Sequence, residues 1–215
     1  QWVDGYLFND PNNEEGFLDQ ELLAAERTGM LTVEKVRRVP WSDYDTGAAL
    51  RFSGMGQFHP LEYLSGLAKA FVAQGGEIFS RSRARYVEGG TNARVETTTG
   101  MTVRADDIVV ATNTPFNDRV SIHTKQAPYR TYVISLEIPA GSVPTALYWD
   151  TADPYHYVRV AKGQKNAVGK EFLIVGGEDH KTGQTDNAIN RFDRLESWAR
   201  ERFPKAGGVA FTWTG

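Results

Sequence analysis

The residues Gly54-Met55-Gly56-Gln57-Phe58-His59 lie between a β-prone run and an apolar helical stripe. That is the order of a nucleotide-phosphate cradle. Such a cradle needs GxGxxG, because the third glycine lets helix and strand pack closely and free amides face the phosphate. Here His59 takes the third place and Pro60 removes an amide. The stretch reads as a glycine-permitted turn into an amphipathic helix. No GxxxxGK[ST] motif occurs in the chain. The four histidines, His59, His123, His156 and His180, never fall at HxxxH or HxH spacing, so a metal site has no support. Glu178 and Asp179 before His180 read as solvated loop acids. GxSxG is absent, and "RFSGMG" lacks the glycine before Ser53, so a serine hydrolase has no footing.

More chemistry is legible in "YHYVRV", Tyr155 to Val160. On a strand, alternate residues share a face. Tyr155, Tyr157 and Arg159 therefore lie together, with His156, Val158 and Val160 opposite. An Arg fork beside two phenols suits a carboxylate or another anion. A solvent face built on amphipathic stems is the equal alternative. Further on, "IVGGEDHKTG" puts Glu178 just past a strand end, where loops carry function. A polar hairpin loop is the plainer reading of that segment.

The elements that must position these residues are readable from period and punctuation. Three helices are expected: Gln20 to Thr28 capped by Asp19, a second starting at Pro60, and Ala188 to Phe203. The second carries Leu61, Leu64, Ala68, Phe71 and Val72 on one stripe and ends at Gly75-Gly76. The third has Asp186 or Asn187 as cap and Pro204 as stop. A fourth is expected over Val33 to Arg37. Strands are expected at "QWVDGYLF", at "EIF" from Glu77, and in a hairpin with Thr99-Gly100 at its tip. The apolar run Ile108 to Ala111 reads as a strand buried on both faces. "TYVISLEI", "ALYWD", "YHYVRVA", "EFLIVGG" and "VAFTWTG" follow, closely spaced and β-branched or aromatic, which predicts a largely antiparallel sheet. A boundary is expected near Asn113 to Lys125.

Composition narrows the function classes. The 215 residues carry 24 basic and 27 acidic side chains, a net charge of −3. No basic excess points to nucleic acid or a membrane surface. No run reaches the ~18 apolar residues of a membrane span. Cysteine is absent. That removes disulfides, thiolate zinc and cysteinyl iron–sulfur ligation within this chain, and it fits a cytoplasmic protein.

The order of these pieces resembles the FAD-dependent D-amino-acid-oxidase-like superfamily, which includes sarcosine and glycine oxidases. "GMGQFHPLEYLSGLAKAFVAQGGEIFSRSRARYVE" looks like that group's loop, helix, Gly-Gly and strand. "ARVETTTGMTVRADDIVVATNTP" looks like its hairpin and ATG-type turn. "APYRTYVISLEI", "YHYVRVA…EFLIVGGEDHKTG" and "INRFDRLESWARERFPKAGG" look like its large sheet and the helix after it. The likeness spans nearly the whole chain, and its specificity lies in order and spacing.

The resemblance implies an α+β fold with a mixed, largely antiparallel substrate-domain sheet under covering helices. Residues 1–57 would be the first part of the substrate domain, 58–125 a partial FAD-domain segment and 126–215 the second part. It implies that Arg83 and Ala84 lie near the adenine end of FAD, and that Ala111, Thr112 and Asn113 form the ATG-type turn. The family favours Val at the Ala84 position, and Asn113 stands in place of the usual Gly. Tyr157 and Arg159 would roof the substrate pocket, with Glu178 at the end of the next strand, and no base is assigned. The substrate would be a small amine or amino-acid-like molecule oxidised by hydride transfer to FAD. The GxGxxG unit is expected before Gln1, and further flavin contacts after Gly215. A chain so cut is expected to bind FAD poorly and to be inactive. The alternative is a stand-alone binding module that keeps the oxidase sheet without redox work.

Overall fold

The computed structural model describes residues 1–10, 16–29, 32–113, 127–163, 170–183 and 188–215. Its elements run β1 (Trp2–Phe8), α1 (Phe17–Thr28), β2 (Val33–Val36), β3 (Ala49–Gly56), α2 (Pro60–Ala73), β4 (Ala84–Glu88), β5 (Arg94–Thr97) and β6 (Thr102–Arg104). Then come β7 (Tyr129–Pro139), β8 (Leu147–Asp150), β9 (His156–Lys162), β10 (Lys170–Lys181), α3 (Ala188–Arg202) and β11 (Val209–Thr214). The chain divides into two compact units, one of residues 1–58 with 128–215, the other of residues 59–127.

The larger unit is built on an eight-stranded sheet in the order β11-β7-β10-β9-β8-β1-β3-β2. β1 and β8 run parallel, and the other pairs are antiparallel. The fold is therefore α+β with a mixed sheet, mostly antiparallel as the strand spacing predicts. Strand alternation sends two sets of side chains to opposite faces. One face carries Tyr132, Ile134, Leu136, Tyr148, Val158, Val160, Leu173 and Val175, packed with Leu195, Ala199 and Phe203 of α3. Trp41, in the segment after β2, completes this core against Phe203 at 4.7 Å and Tyr148 at 5.1 Å. On the other face, Leu7, Leu50, Phe52 and Trp149 pack with Leu18 and Leu22 of α1.

Several local expectations change. Val33 to Val36 is a strand, not a helix, because β2 ladders onto β3 from Val33↔Phe52 to Val36↔Ala49. α1 starts at Phe17, with Gly16 in the left-handed region at its N-cap. Asp19 thus lies in the first turn, where its charge favours the helix dipole, and it pairs with Lys35 at 2.5 Å. Gly54 and Gly56 belong to β3 rather than to a loop. The register slips between Val3 and Gly5, so Ser53 and Gly54 together oppose Asp4. Gly54 takes φ +75°, which makes this a glycine-dependent β-bulge. The proposed α3 caps, Asp186 and Asn187, lie outside the described residues, as does His123.

The smaller unit holds α2 and a three-stranded antiparallel sheet, β4-β5-β6. α2 forms as its sequence dictates. Pro60 opens it, and His59 Nδ1 accepts from the Glu62 amide at 3.4 Å. None of its residues is buried, and the stripe of Leu61, Leu64, Phe71 and Val72 is exposed. The β5–β6 hairpin turns through Thr99-Gly100 as expected, closed by the Gly100 amide on the Thr97 carbonyl at 3.1 Å. Glu77 to Phe79 and Ile108 to Ala111 are not strands. An apolar run needs a neighbouring ladder to become a buried strand, and no described strand pairs with 108–111. Val109 is 87% exposed.

Candidate functional site

The open sheet face beside α1 carries the Tyr/Arg row. Val158 and Val160 point to α3, so alternation puts Tyr157 and Arg159 on the far side. Tyr155 and Tyr157 have ring centroids 6.0 Å apart. The Tyr157 ring lies across the backbone of its cross-strand partner Gly176, where a Cβ would fall inside the ring. Glycine is thus required at 176 by close approach, not by conformation. Arg159 pairs with Ile174 and donates from Nη1 to the Phe58 carbonyl at 3.2 Å. Its Nε is buried without a partner among the described residues.

Burial raises the Tyr157 phenol above the usual range, with the Asp179 charge adding and the neighbouring Thr131 hydroxyl opposing. Tyr155 is raised by burial too, and then by the charges of Asp179 and Tyr157. Both tyrosines are therefore neutral hydrogen-bonding groups across the physiological range.

Glu178 is not part of that row. The register slips between Gly177 and His180, and Glu178 takes φ 57° there. The slip turns its carboxylate to α3. Arg194 donates to Oε2 from Nη2 at 2.6 Å and from Nε at 2.9 Å. Arg191 donates to the Glu178 carbonyl at 2.7 Å. The Asp179 charge instead reaches Tyr155 and Tyr157, adding to the rise of both phenols. Its Oδ1 is buried with no hydrogen bond or ion pair among the described residues. The alternation rule missed Asp179 because a bulge reverses side-chain parity, which one sequence does not reveal.

The residues associated with the adenine end and the ATG-type turn lie in the smaller unit. Ala84 opens β4 opposite Thr97, and the Arg83 carbonyl accepts from the Thr98 amide at 2.9 Å. Ala111, Thr112 and Asn113 are exposed. Asn113 has φ 62°. That left-handed conformation explains why Asn can stand where Gly is usual, since its short polar side chain tolerates αL best after Gly.

A cleft of about 430 Å³ lies elsewhere, lined among others by Asp10, Lys35, Tyr44 and Asp150. Its described lining includes none of the substrate or cofactor residues expected from the sequence. Among the described residues no group of His, Asp and Glu could hold a metal ion.

Residues 4–215 match the family model described as "FAD dependent oxidoreductase", DAO. The chain belongs to this FAD-dependent oxidoreductase family. Among curated relatives it is 24% identical over 202 residues to the putative Rieske 2Fe-2S iron-sulfur protein YhfW of Bacillus subtilis, covering 93% of this chain and 38% of that protein. It is 25% identical over 185 residues to the probable oxidoreductase OrdL of Rhizobium meliloti, covering 85% of this chain and 42% of that one. The chain thus spans about two fifths of the length of these relatives, from the 38% and 42% shares. L-proline dehydrogenase from P. horikoshii has a similar fold, with TM-score 0.73 at 12% identity over all of this chain and 60% of that one. Iminodiacetate oxidase from Chelativorans sp. matches with TM-score 0.65 at 12% identity, over 99% and 59% of the two chains.

The family cofactor is FAD, and the residues present fit part of it. Trp149, Tyr157 and the bare backbone at Gly176 give the open face an aromatic, flat surface suited to a planar partner. No GxGxxG or P-loop amide nest is present to hold a pyrophosphate.

Proposed function

We propose that this chain is the substrate-handling part of a flavin-dependent oxidoreductase for an amine or amino-acid-like substrate. The observation that carries the reading is the Tyr157/Arg159 row on an open sheet face, with Arg159 Nε buried and unpartnered. Arg159 offers a donor fork for a carboxylate, and the Tyr157 phenol adds a neutral donor beside it. Glu178, fixed by Arg194 and Arg191, anchors the strand end from which neighbouring groups reach that face. The similar folds include a proline dehydrogenase and an iminodiacetate oxidase, both named for amino-acid-like substrates.

FAD, when bound, would supply the acceptor for the hydride that leaves the substrate carbon bearing nitrogen, once that nitrogen has given up the proton of its ammonium form. In this reading Arg83, Ala84, Ala111, Thr112 and Asn113 contact the cofactor. The larger unit orients the substrate and excludes water, which is the protein's share in cofactor chemistry. The chain by itself binds FAD poorly and is silent, because the pyrophosphate needs an amide nest it lacks.

Amine and amino-acid turnover screens on the full-length protein test the activity. A flavin spectrum recorded on this chain after purification with excess FAD tests the silence. Turnover of amino acids that is lost on Arg159→Lys supports the reading. Binding of carboxylates with no flavin reduction by any amine would favour a non-redox binding module instead.

A further inference from the structure

Most buried charge in the larger unit is matched. Asp150 Oδ2 meets His156 Nδ1 at 2.8 Å, and Glu178 meets Arg194. In the smaller unit, Glu88 Oε2 lies 3.0 Å from Arg94. Asp179, like Arg159, departs from this pattern. Its Oδ1 is shut away from solvent with neither a hydrogen bond nor an ion pair. A carboxylate oxygen left so is destabilising, since it loses water and gains nothing.

Its place gives that cost a use. β9 and β10 are antiparallel, so Tyr157↔Gly176 is flanked by Arg159↔Ile174 on one side. On the other side the register passes Gly177↔His156 and enters the bulge that carries Asp179. A cation and an anion therefore bracket one flat phenol along the strand direction, each with an unpartnered buried atom. Thr131 beside Tyr157 adds a hydroxyl. Opposite charges at the two ends of a ring fit a molecule with opposite charges at its own two ends.

We infer that Asp179 is a specificity-determining residue that accepts an N–H from the substrate's protonated amine, while Arg159 holds its carboxylate. This rests on the amino-acid reading above and narrows it to zwitterions with one carboxylate and a primary or secondary amine. A second carboxylate placed toward Asp179 is repelled. A decarboxylated amine loses the Arg159 contact.

The test uses the flavin-loaded full-length protein and matched probes: L-proline and N-methylglycine as zwitterions, and tetrahydrofuran-2-carboxylate and methoxyacetate as ether isosteres without the amine. Turnover is followed for the amino acids, and binding of the isosteres by calorimetry. Asp179→Asn should lower kcat/KM for the amino acids by about 10- to 100-fold, the range of a hydrogen bond to a charged group. Isostere binding should hold or tighten. Arg159→Lys should weaken both classes. Asp179→Ala serves as a second variant, with the thermal midpoint recorded for each.

Equal losses for amino acids and isosteres in Asp179→Asn would mean a merely structural carboxylate and overturn the inference. Unchanged kinetics would overturn it too. Both leave the oxidase reading standing. If the wild-type protein neither turns over the amino acids nor binds the isosteres, the oxidase reading fails, and the inference with it.

Discussion

The two faces of the sheet at β9 and β10 come from the same strands yet follow opposite rules. Toward α3, Val158, Val160, Leu173 and Val175 form a closed apolar layer, and the carboxylates of Asp150 and Glu178 meet basic side chains. Toward the open side, one residue along, stand Tyr157, Arg159 and Asp179, with buried polar atoms that have no partner. The first face maximises stability. Single unpartnered atoms occur toward α3 as well, at Trp41 Nε1, Arg191 Nε and Arg202 Nε, but both arginines there have other partners, whereas Asp179 on the open face has neither a hydrogen bond nor an ion pair at its buried oxygen, a cost that a ligand would remove. The difference implies that substitutions toward α3 act on unfolding, whereas substitutions of the polar side chains Arg159 and Asp179 on the open face act on binding.

The largest expected effect is at Leu195, fully buried between α3 and the sheet. Leu195→Ala should lower unfolding free energy by about 2–5 kcal/mol in urea titrations. A loss under 1 kcal/mol would mean that α3 is not the lid of this core. Glu178→Ala comes next. It removes the carboxylate 3.7 Å from Arg191, whose side chain is 15% exposed and which keeps its hydrogen bond to the residue 178 carbonyl, whereas Arg194 can turn to water from 52%. We expect a loss of about 1–3 kcal/mol, at the low end if solvent reaches Arg191.

Gly176→Ala tests the open face directly. The added methyl occupies the space of the Tyr157 ring. A destabilisation of about 1–3 kcal/mol is expected. Adding Tyr157→Ala to the same chain should recover part of it, a non-additivity that reports contact. Additive losses would show that the ring does not rest on the backbone there.

Arg159→Lys should leave stability within about 0.5 kcal/mol. KM for a carboxylate substrate should rise by about 10-fold or more, because the bidentate fork is lost. The mildest effect is alkaline. Burial raises the phenols of Tyr148, Tyr157 and Tyr155 in the folded state. The unfolded chain releases these protons near pH ~10, while the folded chain still holds them. Stability is therefore full below pH ~10 and falls as pH climbs through the raised values. Urea midpoints at pH 9 and 11 should show the drop. Tyr148→Phe, on the α3 side, should remove more of it than Tyr157→Phe.

Much of the sheet was legible because its signals are local. Alternation in "YHYVRVA" and "EFLIVGG" fixed which residues share a face, and the structure puts Tyr157 and Arg159 together as that rule requires. The Pro60 start of α2 and the Thr99-Gly100 turn were legible for the same reason. Errors arose where a partner decides the outcome. "VEKV" became a strand because β3 offered an edge, and 108–111 did not, for want of a ladder. Glu178, expected near the substrate pocket, meets Arg194 of α3 because a bulge adds one residue to β10 there.

The sequence by itself determined which residue types were available and the two-residue period that sorts them between faces. It also determined the absence of a phosphate cradle and of cysteine. Only the tertiary structure decided that Gly176 serves as the floor beneath Tyr157, that Glu178 is tied to α3, and that the bulge brings the Asp179 charge near Tyr157. The physical reason is register. Hydrogen-bond pairing between strands far apart in the chain sets where a bulge falls. A shift of one residue moves a carboxylate from a salt bridge into a binding face.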